Sequence, residues 1–445
     1  MLLAEREQKQ LFLLTNILIN VNIILMSKIK SITAREILDS RGNPTLEVEC
    51  ITDDGSFVAS VPSGASTGMK ESFELRDNEK RYGGKGVLKA VNNVNEIIGP
   101  KLVGMDPENQ EEIDKRMITV DCTPSKFNLG GNAVVGVSMA VARAGAAAKK
   151  ISLYEHIANL FKNEEIKLPQ PSFNIINGGA HAGNNLDFQE FMIVPKGNSF
   201  VESLRMGSEI YFQLKKILKQ NYGKSSINVG DEGGFAPEID LPEVALSLIL
   251  KAIEGAEYDK KVDIILDVAA TQFYRKGSSS DEGYYGLRTG LYRRTDLMNY
   301  YSDLINEYPI IGIEDPFSEE DYTGFERMNS RLGSKVMIIG DDLTTSNPEN
   351  IRLAEEKKAC NAVILKINQV GTLTELLESA KIARDNGWKI IVSHRSGETC
   401  DSFIADLAAG ISAEYIKSGA PARGERLAKY NRLCKIEEEL NKKKL

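Results

Sequence analysis

The chain has 445 residues, 42% of them hydrophobic and 27% charged, with a formal net charge of −8. That length allows two or three average domains, or a smaller domain beside one α/β barrel, with a large core in either case. The acidic balance excludes the basic surface of a nucleic-acid binder, and such a protein must gather cations locally or borrow metal ions to handle an anionic substrate. Five cysteines, Cys50, Cys122, Cys360, Cys400 and Cys434, form no CxxC pair. Neither a disulfide framework nor a zinc site is indicated, and a reducing cytoplasm fits.

In chain order, Leu11 to Met26 is apolar but shorter than the roughly 20 residues of a membrane span, and it carries Asn16, Asn20 and Asn22. It lacks the basic start and small-residue cleavage site of a signal peptide. Residues 1–25 therefore read as an N-terminal extension outside the fold, or a misassigned start, in preference to a surface or membrane tether. From Ile29 to about Val61, LEVECIT and SFVASVP alternate apolar and polar residues between Gly and Asp turns, which predicts an antiparallel meander. The run NAVVGVSMAVARAGAAAKK is small or apolar on most faces and predicts a buried helix. The polar segment FKNEEIKLPQP at 161–171 is the expected linker, because its prolines oppose helix continuation. Residues 26–163 are thus expected to form an α+β capping domain and residues 164–445 an α/β catalytic domain.

Beyond the linker, short apolar runs alternate with amphipathic helical stretches, the pattern of a mostly parallel sheet. The runs are SFNII, SINV, VDIIL, IIGI, KVMII, AVIL, KIIV and AEYI. Asn347 before Pro348 predicts a capped helix start, and Thr372 and Gly387 bracket another helix. All but the first run end in charge: Asp231 with Glu232, then Asp267, Glu314, Asp341, Lys366, His394 with Arg395, and Lys417. From Glu314 onward these residues recur at intervals of about one strand plus one helix. Closed into a barrel, the array would bring them to one mouth, where barrel enzymes place their chemistry.

Asp267, Glu314 and Asp341 offer three hard carboxylates suited to an octahedral Mg2+. Any one of them could equally be a helix cap or an ion-pair partner; three in phase, with cations opposite, favour the metal. The adjacent acids Asp315 and Asp342 are expected to point elsewhere. Lys366, Arg395 and Lys417 supply cations, and a lysine that is desolvated or crowded by like charge has its pKa lowered enough to act as a base. Glu232 stands in the Gly-rich turn GDEGGFAP, where it could present an acid or base, or simply turn the chain. His394 ranks beside Lys366 as a candidate base, whereas His156, inside the helical pattern LYEHIANL, reads as structural.

The strings DSRGNPT, VPSGASTG, NIINGGAHAGN, DFQEFM, GDEGGFAP, GIEDPF, GDDLTTSN, LKINQVGTLTE, VSHRSGET and SGAPARGERLAKYN resemble those of enolases, in order, from about Ser27 to Leu440. The resemblance implies an N-terminal α+β domain followed by an enolase-type α/β barrel. It implies Mg2+-dependent dehydration of 2-phosphoglycerate to phosphoenolpyruvate, the reversible step of glycolysis and gluconeogenesis. Asp267, Glu314 and Asp341 would hold one Mg2+, and Ser66, in the SGAST loop, a second that arrives with substrate. Lys366 would remove the C2 proton and Glu232 assist loss of the C3 hydroxyl, with Glu190 supporting that acid. Arg395 and Ser396 would hold the phosphate, Lys417 the substrate carboxylate and His181 the closed loop, with His394 in substrate contact. The resemblance further implies a cytoplasmic homo-oligomer, at least dimeric, without direct nucleic-acid binding. A secondary surface pool that binds plasminogen is left open.

Several positions depart from the family pattern. Cys400 follows GET where an acid is usual, Gln272 replaces a usual Glu and Tyr322 a usual Trp, while Leu129 and Gly131 alter a helix-start motif. Gln272 removes a charge near Asp267, which bears on metal affinity. Two other functions compete. A sugar-acid dehydratase or lactonising enzyme of the same superfamily is disfavoured by the SGAST and HRSGE motifs. A non-catalytic surface scaffold is disfavoured by the intact Lys366, Glu232 and carboxylate set.

Overall fold

The computed structural model describes residues 27–64, 68, 70–277 and 283–443; the expected extension, residues 1–25, and Ser66 lie outside them. The alternating segment forms three antiparallel strands, β1 (Ser31–Leu38), β2 (Pro44–Thr52) and β3 (Gly55–Ser60), with Ser31 opposite Ile51 and Glu47 opposite Ser60. The period of two buries Leu46, Val48 and Cys50 and leaves Glu47 and Glu49 at the surface side. Three longer helices follow: α1 (Gln110–Asp121), the Ala-rich α2 (Gly131–Ala148) and α3 (Leu153–Phe161). Helix α2 lies directly on β2 and β3. Gly136 permits that approach, because a Cβ there would stand 2.6 Å from Val48 Cγ2 and 3.0 Å from Val61 Cγ2.

Lys162, in the left-handed region, ends α3, and the chain then enters a closed barrel. Its first strands are β4 (Gln170–Asn177), β5 (Glu190–Pro195) and β6 (Val262–Asp267). A small antiparallel sheet of β7 (Tyr274–Arg275), β8 (Tyr284–Leu287) and β9 (Gly290–Tyr292) interrupts the series. The barrel continues with β10 (Ile310–Glu314), β11 (Met337–Gly340), β12 (Ala362–Leu365), β13 (Lys389–Ser393) and β14 (Tyr415–Lys417). Closure comes from Tyr415, Ile416 and Lys417 pairing back onto Gln170, Pro171 and Ser172. Met192, Val194, Ile265, Met337, Ile339, Ala362, Ile364 and Ile391 cluster as a second core, the filled interior expected of an eight-stranded barrel.

The connecting helices are α4 (Phe200–Tyr222), α5 (Pro242–Gly255), α6 (Arg294–Glu307), α7 (Tyr322–Leu332), α8 (Pro348–Glu356), α9 (Leu373–Asp385), α10 (Phe403–Gly410) and α11 (Gly424–Lys443). Asn347 caps α8 by accepting from the backbone N–H of Glu349, and Thr372 caps α9 by accepting from that of Glu375. Among the described residues no helix is long and apolar enough to cross a membrane.

The second barrel strand differs from the expected one. SINV is not a strand: Lys224–Ile227 is a short 3-10 turn, and Val229 makes only an isolated bridge to Phe235. Asn228 and Val229 are exposed there, whereas EFMIVP is buried along its whole length and takes the strand position as β5. This strand runs antiparallel to both neighbours, β4 and β6. A continuous apolar run of six residues has no period of its own, so nothing in the pattern separates it from a buried helix segment.

The meander and the barrel meet at the mouth. Ser63 and Gly397 form an antiparallel bridge, each donating its N–H to the other's carbonyl at 2.7 and 2.9 Å. Arg143 of α2 holds Asp401 through two bonds of 2.8 Å, and the Leu373 N–H donates to Ser138 Oγ at 2.9 Å.

Candidate active site

Strand register assembles the first part of the site. Asn177, Glu190, Asp267 and Glu314 lie opposite one another across β4, β5, β6 and β10, so they form one row at the rim. Because β5 runs the opposite way, Glu190 joins this row from the start of its strand. Asp341 and Lys366 follow the last residues of β11 and β12, and Lys417 ends β14.

Lys417 Nζ sits among three of these carboxylates, 3.3 Å from Glu190, 3.1 Å from Asp267 and 2.8 Å from Glu314. Burial opposes its charge, but Glu190, Glu314 and Asp267 hold it well above the usual lysine range. Lys366 bonds Asp341. Burial opposes the Lys366 charge as well, and the Asp341 carboxylate outweighs it, so Lys366 is raised. This reverses the lowering expected for a catalytic lysine: proximity to an anion, not desolvation, decides the direction. Glu314 is pushed well above the carboxylate range by burial and by the charge of Asp267, whereas Asp341 is lowered because Lys366 and Lys417 overcome its burial.

Supporting groups fix these side chains. Gln189 Nε2 donates to Asp267 at 3.3 Å and Gln369 Nε2 donates to Asp341 at 3.0 Å. Asp315 accepts the backbone N–H groups of Asp341 and Asp342 at 3.0 and 2.8 Å, but neither Asp315 nor Asp342 points away as expected: each offers a carboxylate oxygen within 4.8 Å of that of Asp341. Arg395 is held by Glu71 at 2.8 and 3.2 Å and donates to Asn368 at 3.2 Å, and Ser396 Oγ accepts from Arg41 at 3.3 Å.

Glu232 reaches the same mouth from a turn and not from a strand. The Gly230 N–H donates to the Gly234 carbonyl at 2.9 Å, and Gly233 takes φ +87°, a region that glycine enters without strain. The Glu232 carbonyl accepts from the Ala420 N–H at 2.9 Å, and its carboxylate accepts from Asn174 Nδ2 at 2.9 Å. His181 Nδ1 lies 3.5 Å from both Glu190 and Glu232, and His394 Nε2 lies 3.4 Å from Glu232. Burial and then the Glu232 charge push Glu190 well above its usual range. Burial also raises Glu232, but His394 and His181 outweigh it and leave Glu232 low, and an uncharged His394 can contribute to this only as a hydrogen-bond donor. Burial holds His394 down at about 3, so it is neutral.

The structure thus gathers Lys366, Lys417, Glu190, Glu232, Asp267, Glu314, Asp341, His181, His394, Arg395 and Ser396 at one rim. Ser66 lies outside the described residues. Asp267 and Glu314 converge on the Lys417 ammonium while Asp341 bonds Lys366. Among the described residues, the ligand atoms that lie within 4.8 Å of one another belong to Asp315, Asp341 and Asp342 and to His181, Glu190 and Glu232, not to the expected Asp267, Glu314 and Asp341 together; the oxygen donors at this rim could bind a hard cation such as Mg2+. Sequence patterns did not single out Glu71, Asn174, Gln189, Gln369 or Arg426, since an amide or charged residue outside a strand end resembles any solvated side chain. Of the departures from the family pattern, Gln272 and Cys400 are exposed, and Tyr322 bonds the Leu343 carbonyl at 3.4 Å and lies under the Lys70 ammonium at 5.8 Å, so among the described contacts none of the three touches this cluster.

Two family models cover most of the chain: "Enolase, N-terminal domain" matches residues 29–157, and "Enolase, C-terminal TIM barrel domain" matches residues 165–445. "Enolase B" of Dictyostelium discoideum is 54% identical over 422 residues, which is 93% of this chain and 95% of that protein. "Enolase" of Methanocaldococcus jannaschii is 51% identical over 415 residues and "Enolase" of Solanum lycopersicum 50% identical over 426, each spanning 93% of this chain and 96% of the relative. With its three-stranded meander, its closed barrel and the acid- and lysine-lined rim between them, the chain belongs to the enolase family, the magnesium-dependent lyases that interconvert 2-phosphoglycerate and phosphoenolpyruvate.

Proposed function

We propose that Lys366 is the base and Glu232 the acid of this dehydration, within a capping domain at 26–163 and a catalytic barrel at 164–445. The observation that supports this most is one buried rim holding two lysines, Lys366 and Lys417, against Asp341, Glu190, Asp267 and Glu314, with Glu232 entering separately between two histidines. Lys366 Nζ takes the proton from C2. The electron pair left behind becomes the C2–C3 double bond as the C3 hydroxyl departs, and Glu232 gives that hydroxyl a proton so that it leaves as water. Arg395 and Ser396 orient the phosphate, Lys417 neutralises the substrate carboxylate, Glu190 supports Glu232, and His181 steadies the closed loop.

Asp267, Glu314 and Asp341 are the proposed holders of a first Mg2+ and Ser66 of a second that enters with substrate; when bound, these ions stabilise the negative charge that accumulates on the substrate carboxylate. With Lys366 raised and Glu232 lowered, the pair stands charged for adding water to phosphoenolpyruvate. Dehydration needs the converse, and drawing Asp341 away from Lys366 removes the contact that keeps the lysine protonated. A cytoplasmic homodimer or higher oligomer is the companion proposal, supported by five unpaired cysteines and by the family's usual assembly.

The test is phosphoenolpyruvate formation from 2-phosphoglycerate with and without Mg2+. Lys366→Ala should cost about 100-fold or more in kcat with an unchanged circular-dichroism spectrum. Full turnover in that variant, or indifference to a chelator, overturns the assignment.

A further inference from the structure

Arg426, on α11, is fully buried. Its Nη1 lies 2.7 Å from His394 Nδ1 and donates to the Arg395 carbonyl at 2.7 Å. Its Nη2 donates to the carbonyls of Asp231 at 2.9 Å and Ser396 at 2.6 Å, and its Nε stands 3.4 Å from Glu425. One planar fork therefore grips both the turn that carries Glu232 and the loop that carries His394, Arg395 and Ser396.

A guanidinium has donors only, so His394 Nδ1 must accept. An N–H on Nδ1 would set two protons against each other at 2.7 Å, and a flipped ring would press a C–H onto the guanidinium at that distance. The single ring proton is left on Nε2, which is buried without a hydrogen-bond partner and faces the Glu232 carboxylate at 3.4 Å.

We propose that Arg426 is a positioning residue of the active site: it fixes His394 as the neutral Nε2–H tautomer, aimed at Glu232 and at the oxygen that leaves beside it. Its consequence for catalysis rests on Glu232 as the acid; the tautomer itself does not. The imidazole can then donate to the carboxylate or to a departing hydroxyl without competing for a proton. Losing the clamp would leave the ring free to present a lone pair at that point.

The chain has only three histidines, so imidazole nitrogens labelled with 15N give at most three ring systems to resolve. The His394 signals are identified by their loss in His394→Asn. Expected at neutral pH is the Nε2–H pattern in the wild-type protein, a mixed or Nδ1–H pattern in Arg426→Met, and recovery in Arg426→Lys, which keeps a donor. In Arg426→Met kcat should fall by about 10- to 100-fold, the range seen when a group orienting an imidazole is removed, with part of it regained in Arg426→Lys. An imidazolium or Nδ1–H pattern in the wild type overturns the proposal. So does a folded Arg426→Met protein with an unchanged tautomer, whatever its kcat. Should Arg426→Met not fold, the wild-type and Arg426→Lys spectra decide. An active Glu232→Gln enzyme would instead remove Glu232 from the acid role and leave the spectral assignment standing.

Discussion

His156 is buried with neither ring nitrogen hydrogen-bonded, and burial, aided by the charge of Lys149, holds it down at about 4. The unfolded chain binds a proton at about pH 6.5 while the folded one does not. Stability is therefore complete above that pH and is lost as pH falls from about 6.5 towards 4, by up to about 3 kcal/mol. Denaturant midpoints at about pH 7 and pH 4.5 should separate more in the wild type than in His156→Leu; equal separation would refute the assignment. Such a residue was legible as structural because it lies within a helical pattern and not at a strand end. The candidate acids and lysines of the rim were legible for the opposite reason, as charge placed where apolar runs stop. Arg426 and Gln369 were not, because their roles depend on what folds against them, and a helix or turn shows no such partner in its own spacing.

At the level of elements, Gly136 sets helix against sheet. In an isolated helix Ala would be better than Gly by about 1 kcal/mol. Here the added Cβ meets Val48 and Val61, whose branched side chains cannot rotate away cheaply, and overpacking of this kind costs about 1–3 kcal/mol. Gly136→Ala should thus be destabilising by about 1–2 kcal/mol in chemical denaturation, with Ala at an exposed helix site as the comparison. The meander, the Ala-rich helix and the capped helices α8 and α9 follow directly from periodicity and cap residues. The reversed strand β5 does not, since strand direction is a matter of connection and partner, and an apolar run reads the same in both senses.

At the level of the molecule, the site depends on the seam between meander and barrel. Arg143 and Asp401 form a part-buried pair across it, which keeps Asp401 low despite its desolvation. Removing one partner leaves the other short of its bonds, so Arg143→Met should cost about 1–3 kcal/mol and loosen the Gly397 loop that carries the proposed phosphate contacts. Differential scanning calorimetry checks the first effect and KM for 2-phosphoglycerate the second. Metal should act on the same assembly: at about a hundredfold excess over Kd, Mg2+ should add about 2.7 kcal/mol of apparent stability, and Glu314→Gln should abolish that gain in a thermal melt. The closed barrel with an added N-terminal layer was foreseeable from the order of patterns, because parallel units of strand and helix have few ways to bury both faces of a sheet. How the two layers interlock was not, since bonds such as Ser63 to Gly397 join positions far apart in the chain.

The single downward strand also sets the parity of what comes after it. A chain that finishes β5 at the floor and begins β6 at the floor must travel up and back between them, hence two helices, α4 and α5, whereas the link from β4 to β5 stays at the rim and needs none. The bend joining that pair is lifted to the rim by this detour, and Glu232 rides on it. The proposed proton donor and proton acceptor consequently hang from different kinds of support, Glu232 from an elbow that Phe235 ties to β4 and Lys366 from the end of a stave.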